Sequence, residues 1–320
     1  MTQMGFAVEE RLAGMQIGIG STVTASAAFA VLALLWPDTA PVWAQTEAYT
    51  APRTADGRPD LGGIWQALNT ANYDLDAHTA RPALALVPAP ARAEPPGLNR
   101  ATPVNLPVPE LRALGAVGGV PAGESVVVGG EIPYQPWAAV QKAENAAHWL
   151  ERDPEIKCYM PGVPRITYMP YPFQILQGTD TILIAYEFSG TTRTIFMSDV
   201  GDSPEPTWMG WSRGHWEGDT LVVDVTDLND RTWFDRAGNF HSDALHVVER
   251  YTPISPYHLM YEATIEDPKV FTRPWTVRMP LYRRLEANKQ VLEYRCVEFV
   301  EQLMYGELGV IDPATGVPND

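Results

Sequence analysis

The sequence predicts a mainly β fold, an antiparallel meander closed into a barrel, from three observations. From Phe173 onward, short segments of alternating polarity recur at regular spacing. Compact turn signals such as Ser189-Gly190, Glu217-Gly218-Asp219 and Ser255-Pro256-Tyr257 separate them. No long helical period intervenes between them.

The elements follow in chain order. Residues 1–44 differ in kind from the rest: Met15 to Trp36 carries no charge, Pro37 breaks the run, and Val42-Trp43-Ala44 offers small or aliphatic residues to a peptidase. This is the layout of a secretory signal peptide, with cleavage after Ala44 and Gln45 as the mature start. A single membrane anchor is the competing reading. Residues 45–170 form an N-terminal extension. Within it, TADGRPDLGGIWQ leads into a first short strand around Leu61 to Trp65. The part from Arg81 to Ala138 holds eleven prolines and no lasting period, so it cannot build its own core and is expected to wrap the main domain or serve as a lid. Pro136 then suits a helix N-terminus, and good helix formers carry a helix near 136–151, ended by Asp153-Pro154. KCYMPGVPRITYMPYPF reads as an extended loop.

The β domain covers 171–305, with a tail at 306–320. Strands are expected near 173–178, 182–188, 192–198, 207–216, 220–226, 245–254, 258–266, 275–284 and 290–299. A sheet of that size curls and closes, which removes its exposed edges. A lipocalin- or calycin-like barrel is therefore expected, with a β-sandwich as the alternative.

Side chains alternate across a strand, so each strand divides into two faces. Leu259, Tyr261, Ala263 and Ile265 form the more apolar set of their strand. The same holds for Trp275, Val277, Met279 and Leu281, and for Leu292, Tyr294, Cys296 and Glu298. In 245–251 the apolar set is Leu245, Val247, Glu249 and Tyr251, so Glu249 falls on the inner face. Desolvation there prepares a carboxyl for proton exchange. The structural alternative is a buried ion pair with an inward arginine, Arg193 or Arg213. A slip of one residue would instead turn His246 and Arg250 inward.

The stretch Gly214–Tyr251 carries three of the six histidines, six aspartates, two glutamates and two tryptophans. Read as strand, loop, strand, it has the layout of a site on a scaffolded loop. Histidine suits proton transfer at neutral pH, and a neighbouring carboxylate can orient it. The candidate catalytic residues are His241 or His246 as base, Asp235 as orienting partner, and Glu249 or Tyr261 as acid. His215, Trp211, Trp233, Trp275 and Tyr294 are the candidate ligand contacts, since aromatic surplus in a closed sheet can line an apolar pocket. Each of these residues also has an ordinary reading as core or surface.

Other chemistry has little support. His215, His241, His246 and Asp235 could be assembled around a metal, but no HExxH context accompanies them, and no metal is expected. Ser242 lacks a nucleophile elbow, and neither GxGxxG nor a P-loop occurs, so no cofactor is expected. Without residues 1–44 the chain carries 36 acidic and 22 basic residues, a net charge of −14 that repels phosphate backbones and argues against nucleic acid. No second apolar span follows, so no membrane segment is expected after cleavage. Cys158 and Cys296, an isolated pair in an exported chain, are expected to form a disulfide that stabilises by roughly 3–5 kcal/mol, with two buried thiols as the alternative.

The phrases DGRPDLGGIWQ, KCYMPGVPR, PFQILQG, WMGWSRGHWEGDTLVVD, TWFDRAGNFHSDALHVVERY and EDPKVFTRPWTV touch much of 56–300. In these the chain resembles a large family of exported bacterial proteins of unassigned function. The resemblance implies export and transfers no catalytic role. The lipocalin likeness is an analogy of fold only.

The expectation is therefore a periplasmic or secreted enzyme performing cofactor-independent acid–base chemistry on a small apolar or aromatic molecule. The reaction would be isomerisation, cyclisation, elimination or hydrolysis. A non-catalytic carrier of a hydrophobic ligand is the second expectation, and an envelope interaction protein the third.

Overall fold

The structure is a computed structural model that describes residues 49–80, 120–294 and 296–298. The expected signal segment at 1–44, residues 45–48, the part 81–119 of the proline-rich stretch, residue 295 and the tail from 299 lie outside the described residues.

Nine strands close into a barrel in the order β1 to β9. They are β1 (Gly63–Ala67), β2 (Phe173–Gln177), β3 (Thr181–Tyr186), β4 (Thr192–Phe196), β5 (Trp211–Glu217), β6 (Thr220–Thr226), β7 (His246–Ser255), β8 (His258–Glu266) and β9 (Trp275–Arg283). The sandwich alternative is thereby set aside. Eight strands match the expected positions, with ends shifted by up to four residues. The ninth differs: the described residues of 290–299 form no strand, and β1 closes the barrel between β2 and β9.

One pairing departs from the meander. β4 and β5 run parallel, with Ile195 opposite Ser212 and Phe196 opposite Arg213. A tight hairpin can only join antiparallel strands. Here residues 197–210 form a long crossing that returns the chain to the same end of the sheet, so the expected strand from 207 begins only at Trp211.

The inner face is the apolar set read from alternation. Leu259, Tyr261, Ala263 and Ile265 are buried, as are Trp275, Val277, Met279 and Leu281. They join Trp65, Phe173, Ile175, Ile184, Ile195, Val223 and Val247 in one core. Burial of such side chains stabilises by roughly 1.5–3 kcal/mol each relative to exposure.

The helices are α1 (Pro136–Ala147) and the single turns α2 (Trp149–Arg152) and α3 (Arg165–Tyr168). The helix expected over 136–151 is interrupted at His148, whose φ of −118° and ψ of 30° separate α1 from α2. Before α1, the Val126–Val128 segment extends the edge of β9: Val128 N–H donates to Thr276 O, and Arg278 N–H donates to Val126 O. Cys158 and Cys296 form the expected disulfide.

Candidate functional site

The barrel interior holds a polar cluster within its apolar lining. Arg193 on β4 and Glu249 on β7 form an ion pair through Arg193 Nη2 and Glu249 Oε2, both side chains at most 2% exposed. Arg193 Nε donates to Ser212 Oγ at 2.9 Å. Glu249 Oε1 accepts from Tyr261 Oη at 2.8 Å and from Tyr251 Oη at 3.0 Å. With its proton committed to Glu249, Tyr251 Oη is left to accept from Thr167 Oγ1 on α3 at 3.5 Å. Tyr186 on β3 completes the group.

Register explains the gathering. Val223 and Ala263 stand opposite Glu249, Tyr261 stands opposite Tyr251, and Ile184 stands opposite Arg193, so all their side chains share the inner face. α3, buried along its whole length, brings Thr167 over the cluster.

The electrostatics follow from enclosure. Burial works against the Arg193 charge, but the Glu249 carboxylate outweighs it and raises the guanidinium pKa well above its ordinary value. Burial, reinforced by Glu249, raises Tyr251 and Tyr261 well above the ordinary phenol range, so both stay protonated and serve as donors. Burial likewise raises Tyr186. Arg193 and Thr167 stand beside the Tyr186 hydroxyl and act against that rise, although neither Tyr186 Oη nor Arg193 Nη1 meets full hydrogen-bond geometry.

α3 is pinned from its other side by a second buried network. Arg165 grips Asp153 with two donors at 2.8 and 2.9 Å, reaches Glu155 at 2.6 Å, and donates to Asn72 at 2.9 Å. Arg236 adds a two-pronged contact to Glu155 at 2.8 and 3.0 Å. Burial opposes the Glu155 charge, but Arg236 and Arg165 prevail and hold its carboxyl down at about 2. Gly162, just before α3, has a φ of +75°, and a Cβ there would meet Thr232 within 3 Å, so the chain can pass only as glycine.

The predicted site residues separate into three places. Glu249 and Tyr261 meet in the barrel. Asp235 and His241 lie in the β6–β7 connection, each held by other partners. Asp235 accepts from Leu75 N–H at 2.8 Å, Ala237 N–H at 2.9 Å and Asn239 N–H at 3.2 Å, and also from the Asn239 side chain. Burial, against these hydrogen bonds, pushes its carboxyl up to about 7. His241 Nδ1 lies 2.8 Å from the Ser242 carbonyl, which can only accept, so Nδ1 carries the proton. Its Nε2 then accepts from Thr232 Oγ1 at 2.6 Å, and burial lowers its pKa. With both nitrogens occupied, His241 makes no hydrogen bond to Asp235, which corrects the expected base and orienter pair.

His246 is corrected as well. It lies on the outer face of β7, its Nε2 2.9 Å from Asp224 on neighbouring β6. Strand alternation places it opposite in facing to Glu249.

The expected ligand contacts scatter too. His215 is on the outer face, 58% exposed, beside Glu217 at 3.3 Å. Trp211 packs outside the barrel on Phe196, with ring centroids 4.8 Å apart. Trp233 is buried within the β6–β7 connection, and Tyr294 packs on Tyr171 and Phe188 after the last strand. Trp275 alone of these lines the barrel, edge-on to Phe234 and Phe271. Arg193, weighed in the sequence as a partner of Glu249, is the inward arginine, whereas Arg213 faces out toward Asp202 at 3.7 Å. Tyr186, Ser212 and Thr167 were missed. The inner alternation of 182–186 and 211–217 was the signal available for the first two.

Among the described residues, no group of three His, Cys, Asp or Glu is placed to hold a metal ion, and no helix is long and apolar enough to cross a membrane. Comparison of the chain with protein-family models, curated proteins and solved structures gives no match.

Proposed function

We propose that the chain is an exported small-molecule enzyme whose site is the Arg193–Glu249–tyrosine cluster. It performs cofactor-independent acid–base chemistry on a largely apolar or aromatic molecule. The supporting observation is the gathering of a carboxylate, a guanidinium and three phenols, each at most 3% exposed, inside an apolar barrel. Stability alone does not call for such a group, because apolar residues of similar volume commonly serve as well or better. In this reading Arg193 and the protonated tyrosines stabilise negative charge that develops on the substrate. Glu249 takes the proton once Tyr251 or Tyr261 turns its hydroxyl from the carboxylate to the substrate. The disulfide, the leader-like pattern of 1–44 and the resemblance to exported bacterial proteins support a periplasmic or secreted location.

A second reading, carriage of the same kind of ligand without chemistry, is favoured by one observation. Both Glu249 oxygens are already engaged, by Arg193 on one side and by Tyr251 and Tyr261 on the other.

The test is native mass spectrometry of the purified protein for a retained small molecule, followed by incubation of that molecule with the protein in D2O. Carbon-bound deuterium formed by the wild type and lost in Glu249→Gln and Tyr261→Phe supports the enzyme. A retained molecule without exchange supports carriage. No retained molecule in the wild type removes both.

A further inference from the structure

We propose that the hairpin at 52–60 is a flap over one mouth of the barrel, and that this mouth is where the interior opens to solvent. Such a flap governs access to the interior whether the barrel converts a ligand, carries one or holds none.

The pairing directions place the hairpin. β1, β3, β6 and β8 begin at this mouth, and β2, β4, β5, β7 and β9 end there. In a closed ring of nine strands the β5–β6 turn stands about halfway round from β1. The hairpin leads into β1, and its Arg53 guanidinium reaches Asp219 in that turn at 2.7 Å. On its other side Gln177, at the end of β2, accepts from Leu61 N–H and donates to Pro59 O, each at 2.9 Å. The hairpin therefore lies over the opening.

It is a single piece, and it is lightly held. Thr54 N–H donates to Arg58 O at 2.9 Å and Asp60 N–H to Pro52 O at 2.8 Å, so the two legs move together. Ala51 and Leu61, buried on the two flanks, anchor its base. Between them only Pro59 is buried, so lifting the hairpin uncovers little apolar surface. The Arg53–Asp219 pair is 42% and 36% exposed, and a pair so wet contributes little. A cavity of about 380 Å3 separates Thr54, Ala55 and Asp56 from Gln177, Gly178 and Thr179, so the tip is not packed on the β2–β3 turn. Segments with few buried apolar contacts open locally at far less cost than global unfolding.

The opposite mouth is built in the contrary way. There α3 is buried along its length, and Arg165 binds Asp153, Glu155 and Asn72 out of water. Asp235 holds the β6–β7 connection through the amides of Leu75, Ala237 and Asn239. Opening that end would strip partners from buried charges, which costs far more than releasing one half-exposed pair. The hairpin end is the one that yields.

Thiol labelling of the full, oxidised chain tests this. Both native cysteines are in the disulfide, so one engineered thiol reports access by itself. Ile182→Cys places it inside the barrel at the hairpin mouth, and Val247→Cys inside at the opposite mouth; both positions are at most 1% exposed. With N-ethylmaleimide under native conditions, Ile182→Cys is expected to react about tenfold faster or more. Adding Arg53→Ala should speed Ile182→Cys by about twofold to fivefold and leave Val247→Cys unchanged. Equal rates at the two mouths, or a response to Arg53→Ala at both or at neither, overturns the proposal. Hydrogen exchange of the unsubstituted chain reads the same opening should a cysteine variant not fold. The Thr54 and Asp60 amides should then exchange about tenfold faster or more than those of β6 and β7. Exchange at the β6 and β7 rate would mean that the hairpin lifts only when the barrel unfolds, and this too overturns it.

Discussion

His246 and Glu249 stand three residues apart on β7 and face opposite sides of the barrel wall. His246 reaches Asp224 on the outside at 2.9 Å, while Glu249 is sealed inside against Arg193. A carboxylate and an imidazole so divided cannot act on one substrate, which moves the candidate chemistry from the histidine-rich loop to the barrel interior.

Removing one partner of the inner ion pair leaves the other as an unpaired buried charge. Glu249→Leu is expected to destabilise the fold by roughly 3–5 kcal/mol, and Arg193→Met by a similar amount. The double variant should recover most of that loss. Urea denaturation of the four proteins gives the coupling, and simple additivity of the single losses would contradict the pairing.

His246→Ala is expected to change stability by less than about 1 kcal/mol, because its contact with Asp224 is an outer-face pair in water. His241→Ala should cost about 1–3 kcal/mol, since it leaves the buried Thr232 hydroxyl without its acceptor. A larger loss for His246 than for His241 would reverse the placement of the two rings.

Asp235 gives a pH signature. Its carboxyl, ordinarily near 3.8, is held up to about 7 in the folded state by burial. The folded protein therefore binds the proton more tightly than the unfolded chain between those values. The stability this contributes is complete below about pH 4 and declines as pH rises to about 7. At about 1.4 kcal/mol per unit, the decline is on the order of 4 kcal/mol at most. The wild-type stability minus that of Asp235→Asn, measured from pH 4 to 8, should fall across this window; a flat difference would contradict it. His241, lowered by burial, acts in the opposite sense and loses stability as pH falls below 6.5, but it is common to both proteins and cancels.

The disulfide spans 138 residues of sequence. Its reduction, or the paired change Cys158→Ser and Cys296→Ser, is expected to destabilise the fold by about 5 kcal/mol in the chain-entropy treatment. Guanidinium unfolding with and without reductant measures this. Equal midpoints would mean that the bond contributes nothing to the fold.

Much of the barrel was legible in the sequence because period-two alternation is a local property. In β7, β8 and β9 it assigns the buried face residue by residue, Glu249 included. Closure was less legible, since it depends on pairing across long separations. Trp65 lies over 100 residues from its neighbour Phe173 and over 200 from Arg283, and nothing in either segment marks the match. The apolar alternation of 290–299 is real, but it serves a different end: Tyr294 covers Tyr171 and Phe188, and Cys296 is tied to Cys158. The histidine cluster misled for a related reason. Proximity along a chain that crosses from the outer face through a loop to the inner face does not survive folding, and Asp235 and His241 are each consumed by hydrogen bonds that hold that loop in shape.

The bond between Cys158 and Cys296 rings β2 through β9 in one covalent loop and leaves β1 outside it. The barrel is thus a hoop with a single stave outside the covalent loop, joined to it through the chain that leads to Cys158 and seated by pairing to β2 and β9 and by the Arg283 guanidinium over the Trp65 ring at 4.3 Å. Such an arrangement lends itself to complementation. The ringed portion and a separate strand carrying Gly63–Ala67 form a natural split pair, with the wall left open until the strand is supplied.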